Sequence, residues 1–215
     1  MNMDSLSDRA QPSVLQRFSR RDVLFIKIPA DTTMALLAVG QQASAGEEAY
    51  RMKFGVLSDI HGNVWALDAI LNDARRRGVN AFVNLGDILY GPLAPRETFN
   101  LLKKTNLAAQ VLGNQDRLII NGTLNPTLEW VRRDLGGDPV RWLSTLPASA
   151  RHNDWLLCHG TLNSDSTYLL DDVSSGEPRV RKDSEIEGLL KGSGAVKLLC
   201  GHTHIQRLVR LTSGT

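Results

Sequence analysis

From residue 52 onward, five short apolar runs alternate with amphipathic segments, and each run is followed by residues of a type that binds metal ions. The runs are 54–57, 81–85, 108–112, 155–158 and 196–200. They are short and mostly apolar, broken only by Asn84, Gln110 and Lys197, as expected of strands covered on both faces. Helical patterns lie between them. Val64, Leu67, Leu71 and Ala74 share one face, with Gly78 placed to end the helix. Pro95 opens a second helix bearing Phe99 and Leu102, and Pro126 a third bearing Leu128, Val131 and Leu135. Asp138-Pro139 predicts the start of a fourth, and Asp183 caps a fifth with Ile186, Leu189 and Leu190. Segment 205–211 alternates apolar and polar and reads as a further, half-exposed strand, whereas 172–184 reads as a surface loop. Strand–helix alternation of this kind predicts an α/β fold with a layered sheet.

The ligand-type residues are Asp59 and His61 after the first run, Asp87 after the second and Asn114 after the third. His159 follows the fourth, and His202 and His204 the fifth. Ends of strands are where α/β sheets gather sites, because the sheet fixes the strand while the loop beyond is free to present a side chain. Carboxylate and amide oxygens with imidazole nitrogens suit Mn, Fe or Zn and need no thiolate. Taken singly the motifs are weak. An Asp before a helix is ordinarily a cap, Gly86-Asp87 and Asn114 are common turns, and a lone His159 is ordinarily a satisfied histidine. Together they decide, since four of the five histidines fall in these motifs. His152 stands outside the pattern. Cys158 and Cys200 form no disulfide framework and read as small buried hydrophobes beside their ligand neighbours.

Composition adds limits. The chain has 215 residues, 42% apolar and 22% charged, with a net charge of +2, which gives no case for nucleic acid or an anionic membrane as partner. No run of eighteen apolar residues predicts a membrane-spanning helix.

Residues 1–51 are a different kind of sequence, expected to lie largely outside a domain of residues 52–215. Ser19-Arg20-Arg21-Asp22-Val23-Leu24 looks like a twin-arginine export signal. A mildly apolar stretch follows, and Ala43-Ser44-Ala45 matches a cleavage site, so a periplasmic location is expected. The competing expectation is a cytoplasmic protein whose native start is Met52, because Lys27, Pro29 and Asp31 interrupt the apolar stretch.

The ordered motifs Asp59-Ile60-His61, Gly86-Asp87, Gly113-Asn114-Gln115-Asp116, Cys158-His159-Gly160 and Gly201-His202-Thr203-His204 resemble the calcineurin-like metallophosphoesterase superfamily. Ser58-Asp59-Ile60-His61-Gly62-Asn63 resembles its small prokaryotic phosphodiesterase branch. The resemblance covers about residues 52–211 and implies a four-layer α/β/β/α sandwich. It implies two divalent ions (Mn, Fe, Zn or Ni, with Mn favoured): one held by Asp59, His61 and His204, one by Asn114, His159 and His202, with Asp87 bridging. It further implies a metal-bound hydroxide as nucleophile, with the ions clamping the attacking and leaving oxygens. Asp87, Asn114 and Asp116 are the implied catalytic residues, and Asn114 and Gln115 the implied substrate contacts.

Two departures from the family pattern carry expectations. Gln115 stands where the third motif usually has His, and an amide is no general acid, which favours phosphodiesters, small or nucleotide-like, over monoesters. A phosphomonoesterase or protein phosphatase, and a catalytically impaired scaffold, are the alternative readings. Relatives usually continue through further strands after the last motif, so part of the C-terminal strand set is expected to be missing. The exposed edge is one that a second copy could cover, hence an expectation of a homo-oligomer. Tyr90, Arg117, Asn163 and Tyr168 neighbour the motifs and read as packing or loop residues.

Overall fold

The computed structural model describes residues 23–26, 34–39 and 53–211. Its centre is strand β3 (Lys53–Ser58), which follows two strands, β1 (Val23–Ile26) and β2 (Met34–Val39). Helix α1 (Val64–Arg76) crosses to β4 (Phe82–Asn84), and α2 (Pro95–Leu102) crosses to β5 (Leu107–Gln110). Three helices follow, α3 (Asn114–Asn121), α4 (Pro126–Leu135) and α5 (Gly137–Leu143). Then come β6 (Ser149–His152), β7 (Trp155–Cys158), the short pair β8 (Asp171–Asp172) and β9 (Arg179–Val180), α6 (Asp183–Leu190) and β10 (Lys197–Leu199). The larger sheet runs β1-β2-β3-β4-β5, with β3, β4 and β5 parallel. The smaller runs β10-β7-β6, with β10 parallel to β7. The fold is mixed α/β, as the alternation predicts.

Three hydrophobic clusters hold the layers. Leu67, Ile70, Leu71 and Ala74 of α1 pack with Leu57, Phe82, Leu102, Ile119, Leu128 and Val131, which seats five helices on one side of the larger sheet. Phe54, Val56, Val83, Leu85 and Val111 meet Leu157 and Leu199, joining the two sheets. Adjacent β3 residues thus serve different clusters, Val56 between the sheets and Leu57 under the helices, as the two-residue strand period requires. Ile186 of α6 packs with Leu169 and Leu211, alongside Leu198 and Cys200. Caps are local and chemical: Asn63 accepts from the Ala66 amide at 3.0 Å to start α1, and Asn125 accepts from Leu128 at 2.9 Å to start α4.

Some expectations change. Val23–Ile26 and Met34–Val39 lie within the segment expected outside the fold, yet they pair antiparallel with each other and with β3. The apolar stretch that reads as an export signal also has the length and composition of an edge hairpin, and β3 has a free ladder to offer it. Ser19-Arg20-Arg21-Asp22 and Ala43-Ser44-Ala45 lie outside the described residues. Segment 205–211 is not a strand; no neighbouring ladder completes its hydrogen bonds, and it is held instead by Leu211 and Val209 packing against α6. Helix α3 was not expected, because its apolar residues, Leu118, Ile119 and Ile120, are consecutive and show no helical spacing. Strand β6 was missed because its sequence, Ser-Ala-Arg-His, is mostly polar. Asp183 is the first residue of α6 rather than its cap, which is Lys182. Among the described residues no helix is long and apolar enough to cross a membrane.

Leu71 is fully buried in the helix-side cluster. Leu71→Ala is expected to cost about 2–5 kcal/mol, read as a lowered urea midpoint with unchanged slope.

Candidate metal centre

All seven ligand-type residues come together where the parallel strands end. The loops after β3 and β4 run side by side: the Asp59 amide donates to the Gly86 carbonyl at 3.0 Å, His61 to Asp87 at 2.9 Å and Gly62 to Ile88 at 2.9 Å. The smaller sheet is stitched on by the Gly201 amide, which donates to the His159 carbonyl at 2.8 Å, and by the His202 amide, which donates to Asp59 Oδ2 at 3.1 Å. Asp59, His61, Asp87, His202 and His204 all adopt φ between 50° and 73°, and Asn153 is the only other non-glycine residue to do so among those described. Left-handed backbone costs a non-glycine residue energy and persists only where the surroundings enforce it, which is typical of functional sites. Here it turns each chain sharply at the strand end, so that its ligand points inward. Gly113 allows the third loop to approach, since a Cβ there would overlap Asp87 Oδ1 and its amide nitrogen.

Two groups form. Asp59, His61 and His204 offer ligand atoms within 4.8 Å of one another, and so do Asp87, His159 and His202. In the first group the His61 Nδ1–H donates to the Tyr90 carbonyl at 3.1 Å, leaving Nε2 with its lone pair facing His204 Nε2 at 3.2 Å. Asp59 Oδ1 is buried without a well-formed hydrogen bond, although His204 Nε2 lies 3.3 Å away. In the second group the His159 Nδ1–H donates to the Leu85 carbonyl at 2.8 Å. Its Nε2 faces Asn114 Oδ1 at 2.9 Å and Asp87 Oδ2 at 3.4 Å. Both groups therefore aim lone pairs at a common point. Electron-rich carboxylate, amide and imidazole atoms so placed repel unless a cation or a proton lies between them, and a divalent ion with oxygen and nitrogen ligands fits.

The electrostatics say the same. Burial alone would raise the Asp59 carboxyl, but His204, His159 and the Ser58 hydroxyl, which donates to Asp59 Oδ2 at 2.5 Å, hold it below the usual carboxylate range. Burial alone would lower His159, but the Asp87 and Asp59 carboxylates override it and bring it up to about 9. His204 is raised by its contact with Asp59, whereas burial and the nearby His159 lower His202.

Asp116, an implied catalytic residue, is fully buried and turned away from solvent. It accepts from the amides of Ile88 (2.9 and 3.1 Å), Leu89 (3.1 Å) and Gly113 (3.3 Å), so it ties the turn after Asp87 to the start of α3. Burial and the neighbouring Asp87 push its carboxyl up to about 7. Gln115 donates its backbone N–H to Asp87 Oδ1 at 2.9 Å, and its half-buried side chain stands beside Asn114 on the first turn of α3. Of the neighbouring residues, Tyr90 acts through its carbonyl. Arg117 is paired with Asp165, Tyr168 lies against His202, and Asn163 is exposed. Ser58 and Asp165 were missed, and neither carries a sequence signal of its own. Cys158 and Cys200 are free thiols driven up by burial, Cys158 to about 12.

A family model described as calcineurin-like phosphoesterase matches residues 52–206. The chain belongs to the calcineurin-like phosphoesterase family. An uncharacterized protein of Methanocaldococcus jannaschii, MJ0912, is 30% identical over 108 residues, which cover 46% of this chain and 43% of that protein. The crystal structure of a metallophosphoesterase from Sphaerobacter thermophilus is 31% identical with a TM-score of 0.49, over 56% of this chain and 52% of that one. The chain thus spans about half the length of the relatives it matches. Family membership agrees with a centre built for divalent ions.

In the metal-free protein the raised His159 contributes stability that is complete below its ordinary value near 6.5 and is lost as pH climbs through about 9. A metal takes the imidazole neutral, so binding must expel that proton. Calorimetric titration of Mn(II) at pH 7 in two buffers of different ionisation enthalpy is expected to show release of about one proton or more, fading above pH 9. A heat independent of buffer would contradict the assignment of His159.

Proposed function

We propose that the chain is a metal-dependent phosphoesterase that acts preferentially on phosphodiesters, small or nucleotide-like. The observation that carries the hydrolase reading is the pair of ligand groups, Asp59–His61–His204 and Asp87–His159–His202, side by side at the strand ends. Asn114 joins the second group through His159. In this reading Asp87 would help to hold both ions; it touches His159 through one oxygen, and the other accepts from the Gln115 amide. Bound divalent ions would supply a water acidified to near neutrality and would offset the charge on the phosphoryl oxygens.

The protein's own part is to fix and select. His61 and His159 are locked in one tautomer by backbone carbonyls, so their Nε2 atoms are held ready for ligation. Asp116 sets the turn that carries Asp87 and does not reach the substrate, so its part in catalysis is positional. Asn114 and Gln115 stand at the first turn of α3, and in this reading they would contact an incoming phosphate. Gln115 can donate a hydrogen bond to a phosphoryl or leaving-group oxygen but cannot deliver a proton near pH 7. Diesters with leaving groups that need no protonation suffer least, and this supports the diester preference.

With added Mn(II), hydrolysis of bis-p-nitrophenyl phosphate is expected to exceed that of p-nitrophenyl phosphate, and Asp87→Asn to lose both. Gln115→His is expected to raise monoesterase activity by ~10-fold or more, within the reach of a general acid. An unchanged rate at intact metal content would refute the role given to position 115. A protein that retains no divalent ions would refute the hydrolase reading and favour a scaffold.

A further inference from the structure

The loop that begins at His159 touches His202 directly and reaches the helix that carries Asn114 through Arg117. It closes on itself: the Thr161 amide donates to the Ser164 carbonyl at 2.8 Å, and the Thr167 hydroxyl donates to Ser164 Oγ at 2.9 Å. Its far end is fastened by Leu169, buried against α6, and by Arg181, which donates to the Tyr168 carbonyl at 3.3 Å. Between these anchors the loop makes three contacts toward the site. The Tyr168 ring lies against the His202 ring, centroids 4.5 Å apart and planes tilted by 34°, and the Ser166 carbonyl accepts from the same imidazole. Asp165 takes a two-pronged ion pair from Arg117, at 2.7 and 2.8 Å. Arg117 stands three residues beyond Asn114 on α3, hence on the same helix face.

We infer that Tyr168 and the Arg117–Asp165 pair are positioning residues that aim His202 and Asn114 at the second metal position. This rests on the metal-centre reading proposed above. The ion pair has 47% of the Arg117 side chain and 24% of the Asp165 side chain exposed. Pairs so placed add little to folding, but a two-pronged guanidinium–carboxylate contact fixes direction. It joins α3, which carries Asn114, to the loop that begins at His159 and lies against His202. Three ligands from three separate segments thereby share one brace. Among the described residues the first group shows no such brace: the His204 side chain is 40% exposed, and the ring contact it makes is with His61, itself a member of the group. The two metal positions should therefore respond differently to loss of the brace.

Mn(II) titration of the full chain, stripped of metal and followed by calorimetry, tests this. Wild type is expected to bind two ions. Tyr168→Ala and Arg117→Ala are each expected to weaken one of them by roughly 10–100-fold, the usual effect of removing a partner behind a ligand, and to leave the other unchanged. Tyr168→Phe is expected to behave as wild type, because the ring makes the contact. Arg117→Lys is expected to recover only part of the loss, because an ammonium cannot make the forked contact. Melting of the metal-free variants controls for folding, and the exposed Arg117 site keeps the test valid if Tyr168→Ala does not fold. Unchanged affinities in folded variants, an equal weakening of both ions, or a Tyr168→Phe protein as impaired as Tyr168→Ala would each overturn the inference while leaving the metal centre standing. A wild type that binds no Mn(II) would instead remove the metal-centre reading itself.

Discussion

Two carboxylates of like charge, Asp59 and Asp87, lie almost wholly out of water at the tips of neighbouring parallel strands, and much of the surrounding structure serves to make that tolerable. Burying an uncompensated charge costs several kcal/mol. Each carboxylate is therefore met by amide donors, from His202 and Gln115, and by imidazoles. The compensation remains incomplete, since Asp59 Oδ1 still lacks a proper partner. What remains is a deficit of positive charge, in a place where backbone carbonyls hold the His61 and His159 rings with Nε2 toward the site.

The strained turns belong to the same economy of structure. Left-handed residues at five of the seven ligand positions raise the energy of the fold. They are kept because the paired loops after β3 and β4 hydrogen-bond to each other and because Asp116 binds the amides of Ile88 and Leu89 beneath them. A buried acid one turn behind the site thus holds the geometry that two acids in the site require. Asp116 is a catalytic residue implied by the family resemblance, and its four amide contacts give it a structural part beneath the site.

The seven ligands and the five runs before them were legible because chemistry and periodicity coincide there: apolar runs end on Asp, Asn or His at each strand tip. The bracing contacts were not legible. Arg117 and Asp165 are forty-eight residues apart and individually ordinary, and a tyrosine stacked on an imidazole leaves no spacing rule behind. Polar β6 and α3, whose apolar residues are consecutive rather than spaced, escaped for the converse reason, since their neighbours rather than their own patterns decide their conformation. The paired strands Val23–Ile26 and Met34–Val39 show that an apolar stretch with the composition of an export signal can also add to a sheet, which composition alone does not reveal.

The amide of His202 reaches Asp59 across 143 residues of chain, and His61 meets His204 across the same span. Such long-range closure carries a high loop entropy and tends to come late in folding. During synthesis the first two motifs would leave the ribosome well before the residues that complete their coordination. A nascent chain would then carry exposed, half-built carboxylate turns with weak hold on any ion. Metal acquisition becomes a checkpoint on finished synthesis: a chain interrupted before residue 204 cannot present the whole ligand set, however well its larger sheet has formed.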